Sequence, residues 1–398
     1  MCLEGFVLKA DDSHISYLPL AHMMERTAQA LILMCDARIG FFRGDVKTLV
    51  NDIMELKPTM FMSVPRLLNR VYDKVLSGVE GSRIKKWLFD TGYQSKLAEV
   101  RNGIVRNNSW WDTLVFRRVQ ASLGGRVRFI ISGSAPISSR VMDFLRVCFG
   151  CDVLEGYGQT ECTAGATLST VGDTGTGNVG AVLPCGKVKL IDAPEMKYFA
   201  ENGEGEVCFK GPCITKGYYK EPEKTAALFD PDGWVKSGDV GKWMPNGTLK
   251  IIDRVKHIFK LAQGEYIAPE KIENICIRSC YIAQMFLFGD SLKSSCVAIV
   301  VPDEEVLARW AANNGRKDVP FEDLCKDDEI KKMIFEDLKV VGKRDGLNSL
   351  EIPKAIKLCH EPFSVENDIL TPTFKLKRPQ AKNRFMEDIL DMYSQLPA

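Results

Sequence analysis

The sequence predicts an α/β protein that changes style twice: a doubly wound sheet region, then a β-rich region built as a distorted barrel, then a small α+β domain. Three observations carry this. The apolar run RVRFIIS (126–132) passes through GSAP into a helical pattern, ISSRVMDFLRVCF (137–149), and then into CDVLE (151–155). A strand–helix–strand unit of this kind builds a parallel sheet. Residues 180–253 break into short strands with turn residues between them, and PNG (245–247) marks a hairpin. Beyond Arg254 helices and strands mix again.

The elements follow in order. TLVNDIMEL (48–56) reads as helix, TMFMSV (59–64) as strand, and PRLLNRVYDKVL (65–76) as a helix opened by Pro65. In the β-rich region KVKLID, GEVCFKG, DVGKWM and TLKIID are strands. In the last region APEKIENICIRS (268–279) is a helix, AQMFLFG and CVAIVVP are strands, and a charged helix over 327–343 closes near Gly346.

Composition narrows the function. The 398 residues are 45% hydrophobic and 26% charged, and Lys+Arg 53 against Asp+Glu 52 leaves a formal charge of +1. Bulk charge therefore argues for no nucleic-acid or anionic-membrane partner. ALILMCDARIGFF is broken by Asp36 and Arg38 and is too short for a bilayer span. The opening MCLEGFVLKADDSH has no signal-peptide pattern. Thirteen cysteines in a chain of this length fit reduced thiols in a cytosolic setting. Cys148 and Cys151 have redox or zinc spacing, but no second CxxC or His pair accompanies them, so they are expected to be buried structural thiols.

Chemistry concentrates in loops. Ligands in open parallel sheets sit at the carboxyl ends of strands. SGSAP (132–136) and EGYGQTE (155–161) leave consecutive strands and are expected side by side. Glycines there let a ring or phosphate approach backbone N–H groups, Thr160 can donate to a phosphate oxygen, and Glu161 is a hard oxygen ligand suited to Mg²⁺. A solvated polar loop is the plain alternative. Gly175-Thr-Gly177-Asn-Val-Gly180 matches GxGxxG, yet it opens no helix, so a dinucleotide site is rejected for a mobile loop. A Ser–His hydrolase with His22 is not excluded by spacing, but no nucleophile elbow exists. The densest run is IIDRVKHIFKLAQGEYIAPEKIE (251–273), where Asp253, Arg254 and Lys256 stand at the change of style. LTPTFKLKRPQ (370–380) places Lys375 and Lys377 in a tail loop.

These motifs, in this order, resemble the adenylate-forming superfamily, and specifically long-chain fatty acid–CoA ligases. YLPLAHMMER, SGSAPIS, GYGQTECTAG, the block GWVKSGDVGKWMPNGTLKIIDRVKHIFKLAQGEYIAPEKIE and LTPTFKLKRP carry the resemblance over nearly the whole chain. It implies ATP-dependent activation of a long-chain fatty acid through an acyl-adenylate, with ATP, Mg²⁺ and coenzyme A as nucleotide, metal and second substrate. It implies that Ser134, Ala135, Pro136, Glu155, Gly156, Tyr157 and Gly158 line the adenine, and that Asp239 and Arg254 lie at the ribose. Thr160 would meet the α-phosphate, Glu161 the metal, and His22 the acyl carboxylate. Lys375 would be the adenylation lysine, and Lys256 would sit at a hinge. Lys260 and Gly264 would face coenzyme A after the last domain turns. The corresponding domains are 1–180, a partial AMP-binding subdomain; 181–253, β-rich; and 254–398, mobile.

The family's Thr/Ser/Gly-rich phosphate loop upstream of LPLAH is not found in the sequence. The expectation is therefore an N-terminally truncated, partial doubly wound sheet with an exposed apolar edge and face, and weak or no ligase activity. The alternative function is a non-catalytic acyl- or nucleotide-binding fragment that pairs with an intact relative. Family members sit typically on the endoplasmic reticulum or mitochondrial outer membrane through an N-terminal anchor; this chain is expected to be cytosolic.

Overall fold

The computed structural model describes residues 6–45, 48–254, 258–263, 265–371 and 375–396. The chain divides into two compact units, Met1–Ile251 and Ile252–Ala398.

The first unit is built on a seven-stranded sheet. Its strands are β1 (Ser13–Ser16), β2 (Arg38–Phe41), β3 (Met60–Ser63), β4 (Phe129–Ser132), β5 (Asp152–Tyr157), β6 (Thr167–Leu168) and β7 (Ala181–Val182), in the order β2-β1-β3-β4-β5-β6-β7. The strands from β2 to β5 pair in parallel, and β6 and β7 add antiparallel. Its helices are α1 (Met23–Met34), α2 (Leu49–Leu56), α3 (Pro65–Glu80), α4 (Arg83–Arg101), α5 (Arg117–Ala121) and α6 (Ser139–Phe149).

Both faces of the central strands are covered, so they read as unbroken apolar runs. Phe61 and Ile130 point into the core formed with Leu68 of α3, Phe89 of α4 and Phe144 of α6. Their neighbours Met60, Met62, Phe129 and Ile131 point the other way, onto Met24, Ala28 and Ile32 of α1. Helix α6 starts where the Ser138 hydroxyl accepts the Val141 N–H and ends at Gly150, whose φ is +59°. A Cβ at Gly150 would stand 2.3 Å from the Arg106 carbonyl oxygen, so only glycine fits. Cys148 and Cys151 flank this turn and are both buried, as expected of structural thiols.

Strand β1 is fully buried although three of its four residues are polar. Its partners explain this. Glu25 of α1 faces His14 at 3.3 Å, Gln29 donates to the Ser16 hydroxyl, and the Ser13 N–H donates to Thr59 Oγ1. Beside β1, at the edge of the sheet, β2 leaves Phe41 exposed, with Leu33 and Met34 exposed on α1.

The β-rich part continues as β8 (Lys187–Ile191), β9 (Glu204–Lys210), β10 (Val235–Trp243) and β11 (Leu249–Arg254), with α7 (Pro222–Leu228) between β9 and β10. They form one sheet in the order β11-β10-β9-β8. The PNG turn joins β10 to β11: Gly247 has φ +80° and the Thr248 N–H donates to Asn246 Oδ1. The register of β10 on β9 shifts between Lys236 and Val240. Ser237-Gly238-Asp239 is therefore a bulge, with Gly238 at φ +70°, and bulges re-aim side chains. The GxGxxG match lies in a loop before β7, as the missing helix context predicts. Its carbonyls at Asp173, Thr174 and Gly175 accept from the guanidinium of buried Arg146.

The second unit contains β12 (Phe259–Lys260), β13 (Tyr266–Ile267), β14 (Ile282–Phe288), β15 (Val297–Pro302) and β16 (Ala355–Leu358). Its helices are α8 (Pro269–Cys276), α9 (Glu304–Asn313), α10 (Phe321–Leu324), α11 (Asp328–Arg344), α12 (Arg378–Arg384) and α13 (Met386–Ser394). The sheet β14-β15-β16 carries α8 and α11 on one face, through Ile272, Ile330, Ile334 and Leu338. It carries α12 and α13 on the other, through Phe385, Ile389 and Met392. Among the described residues no helix is long and apolar enough to cross a membrane.

Candidate active site

The site grows from the ends of β4 and β5. Ser132 and Glu155 are register partners there, so the loops that follow, 133–138 and 158–166, leave the sheet side by side. Ser134 adopts φ +73°, an unusual conformation for a serine. It brings Oγ to 3.1 Å from His22 Nε2. His22 caps α1, and its Nδ1 accepts the Met24 N–H. That bond fixes the neutral ring's proton on Nε2, which then donates to Ser134. The imidazole is in the wrong tautomer to take a proton from the serine, so the Ser–His contact is not a hydrolase dyad. Ala135 and Pro136 are exposed beside it.

Glu155 is buried beneath this loop. Its Oε1 accepts the Ile137 N–H. Burial pushes its carboxyl up to about 7, against the pull of the Ile137 N–H and Arg146. The following Gly156 and Tyr157 pair with β6, so much of the bare backbone is engaged by the chain itself. Gly158 is glycine for a steric reason: a Cβ would stand 2.1 Å from the Ala164 carbonyl oxygen.

The Tyr157 hydroxyl and Gln159 Nε2 both donate to Asp239 Oδ2, each at 2.7 Å. Gln159 also donates to the Ser237 carbonyl at 2.8 Å, and the Ser237 hydroxyl accepts the Asp239 N–H. The bulge aims Asp239 at the end of β5, and two donors hold its carboxylate. Burial keeps the Tyr157 phenol protonated, and the Asp239 charge adds to this. A fixed carboxylate beside an aromatic ring can accept a pair of hydroxyls from a ligand whose flat ring lies against Tyr157.

Thr160 and Glu161 start a short turn, Thr160–Cys162. The Thr160 side chain is exposed. Glu161 is set by the loop after β9: the Tyr218 hydroxyl donates to its Oε1 at 2.6 Å, and the Thr215 N–H donates to its carbonyl at 2.8 Å. No cluster of three or more metal-ligating residues exists among the described residues. A lone carboxylate beside a hydroxyl fits Mg²⁺ nonetheless, because that ion keeps waters and takes phosphate oxygens from its substrate.

The remaining predicted residues belong to the second unit or its border. Lys260 is exposed on β12, its ammonium 5.4 Å from the Tyr266 ring centroid. Lys375 is exposed; its N–H donates to Thr371 Oγ1 and its carbonyl accepts the Thr371 N–H. Arg254 ends β11 by its backbone. Lys256 and Gly264 lie outside the described residues. The sequence reading gave no role to Gln159, Ser237, Thr215 or Tyr218. The first two stand inside motifs it quoted, but their partners are about eighty residues away in sequence.

Comparison with known proteins gives this geometry its relatives. The chain is 54% identical over 391 residues to long-chain-fatty-acid–CoA ligase 1 of Cavia porcellus, covering 98% of this chain and 56% of that protein. It is 54% identical to long-chain-fatty-acid–CoA ligase 6 of Rattus norvegicus, covering 96% and 55%. The chain thus spans about half the length of these relatives. Among solved structures it is similar to the A domain of carboxylic acid reductase from Segniliparus rugosus, in complex with AMP and a co-purified carboxylic acid. That likeness has a TM-score of 0.74 and 28% identity, over 96% of this chain and 55% of that one. The family described as AMP-binding enzyme matches residues 1–219. With more than half of its length inside that match, the chain belongs to the AMP-binding enzyme family.

Proposed function

We propose that this chain is part of an AMP-forming long-chain fatty acid–CoA ligase, which joins a fatty acid to AMP and then passes the acyl group to coenzyme A. The observation that carries the reading is the Asp239 carboxylate held by Tyr157 and Gln159. A ribose diol needs such an acceptor, and Tyr157 and the Ser134–Pro136 loop supply flat and backbone surfaces for adenine. High identity to the two ligases supports the choice of reaction.

Roles follow from charge. The first half-reaction joins two anions, the fatty carboxylate and the α-phosphate, and releases pyrophosphate. Thr160 donates to the α-phosphate. His22, with its proton on Nε2, is a neutral donor near the acyl carboxylate. Lys375 supplies the ammonium that cancels repulsion between the reacting groups and stabilises the charge that develops. Bound Mg²⁺ would supply further charge neutralisation at the phosphates, and Glu161 would hold it. The second half-reaction needs a thiol in place of the lysine. The reading therefore places a hinge at 254–256, with Lys256 turning and Arg254 near the ribose, and Lys260 and Gly264 brought to the pantetheine. The division of the chain after Ile251 supports a hinge in this stretch.

Isothermal titration with AMP and with ATP–Mg²⁺ tests the reading at its base. Asp239→Asn keeps the shape but removes the charge, and a hydrogen bond to a charged group is worth about 1.5–3 kcal/mol. Binding should weaken roughly tenfold or more. Unchanged affinity would overturn the ribose role. Fatty-acid-dependent ATP–pyrophosphate exchange tests the chemistry.

A further inference from the structure

Behind the Glu161 turn lie two thiols that the ligase reading does not use. Cys185 sits in the turn between β7 and β8, and Cys213 in the loop after β9. The pairing of Lys187 with Lys210 sets the two segments side by side. The Cys213 Sγ donates to the Cys185 carbonyl at 3.5 Å, which brings it against the Cys185 residue. Gly186 between them has no side chain to separate them; its Cβ would stand 3.6 Å from Cys213 Sγ. Both cysteines are half-buried, so small reagents can reach them, whereas the neighbouring Cys162 is buried.

The Cys213 segment is tied to the candidate site. The Thr163 hydroxyl donates to the Cys213 carbonyl at 2.7 Å. The Thr215 N–H and Tyr218 hydroxyl reach Glu161 from the same loop. Whatever shifts Cys213 acts on the carboxylate assigned to the metal.

We propose that Cys185 and Cys213 form a two-electron oxidation site, which a peroxide converts into an intramolecular disulfide that repositions loop 211–218 behind Glu161. The Cys185 sulfur attacks a peroxide oxygen, gives a sulfenic acid and releases one water. The Cys213 sulfur then displaces that hydroxyl as a second water and closes the S–S bond. The two thiols lose two electrons and two protons in total, and a dithiol reductant reverses the step. Burial and the adjacent Cys185 push the Cys213 thiol up, which suits Cys213 to the resolving role. A disulfide requires the sulfurs at bonding distance, about 2.05 Å, so the loop must move toward the β7–β8 turn. Tyr218 then loses its grip on Glu161.

The consequence for Glu161 rests on the ligase reading, but the chemistry does not, and the test separates them. The full chain is treated with one equivalent of hydrogen peroxide, its remaining thiols are alkylated, and the digest is mapped by mass spectrometry. A peptide linking Cys185 to Cys213, lighter by two hydrogens and restored by dithiothreitol, is expected. Both cysteines alkylated while exposed Cys280 is oxidised would overturn the proposal. Cys185→Ser should abolish the link and leave Cys213 alkylated; a link formed by Cys213 to another cysteine would count against the pair. Oxidised chain should bind ATP–Mg²⁺ severalfold more weakly than reduced chain, with no such change in peroxide-treated Cys185→Ser. Equal affinity with the link formed would remove the coupling to Glu161 and leave the oxidation site standing.

Discussion

At the scale of single residues the site trades stability for position, and Glu155 shows this most directly. A buried carboxyl that titrates near 7 holds its proton in the folded state at pH values where an unfolded glutamate, near 4.5, has lost it. The stability it contributes is full below about 4.5 and is lost as pH rises through about 7, on the order of 3 kcal/mol across that window. Glu155→Gln keeps an oxygen for the Ile137 N–H and cannot ionise. Melting temperatures from pH 5 to 8 should fall with pH more steeply in the native chain than in the variant; parallel curves would show that Glu155 is not the titrating group. Gly158 makes the opposite kind of demand. Its Cβ would meet the Ala164 carbonyl at 2.1 Å, so Gly158→Ala must push backbone apart. A loss of about 1–3 kcal/mol in urea unfolding is expected, where a loop lined only by solvent would tolerate alanine with little change.

Elements became legible in the sequence where burial and residue type agree. The unit β4–α6–β5 reads directly, because FIIS, Val153-Leu154 and the apolar face of α6 are oily and buried together. Strand β1 does not, because SHIS is polar and its burial depends on Glu25, Gln29 and Thr59 from other elements. The same limit applies to the site. GYGQTE and SGD announce themselves as motifs, but a bulge at Ser237–Asp239 and the reach of Tyr218 to Glu161 are products of pairing, which local sequence does not state. A further case is the buried pair of Lys96 on α4 and Asp112 at the π-helical turn Asp112–Phe116. Asp112 also accepts from Ser109 and Gln120, and Lys96 donates to the Arg106 carbonyl. This network ties α4 to the chain that leads into α5. Lys96→Ala strands a buried carboxylate and should cost about 3–5 kcal/mol, with the double variant Lys96→Met/Asp112→Leu recovering much of it. If the single variant unfolded at the native urea midpoint, the pair would carry no structural weight.

At the scale of the whole molecule, the proposed reaction would require two sets of residues to meet one acyl-adenylate in turn, which gives a reason for their division between two units. Asp239, Tyr157, Thr160 and Glu161 belong to the first unit; Lys375, Lys260 and Gly264 belong to the second. A lysine placed between two anions is needed only until the adenylate forms. Afterwards it occupies space and carries charge where a thiol must attack. The expected outcome is a double dissociation, measured in a protein of the relatives' full length. Lys375→Ala should suppress fatty-acid-dependent ATP–pyrophosphate exchange by roughly 100-fold or more, the loss of one preorganised donor being about 2.7–4 kcal/mol. It should leave thioester formation from supplied acyl-adenylate near the native rate. Gly264→Leu should do the reverse, since a bulky side chain blocks pantetheine without touching the phosphates. If both variants lost both half-reactions equally, the two sets would act as one static site, and the hinge at 254–256 would have no catalytic purpose.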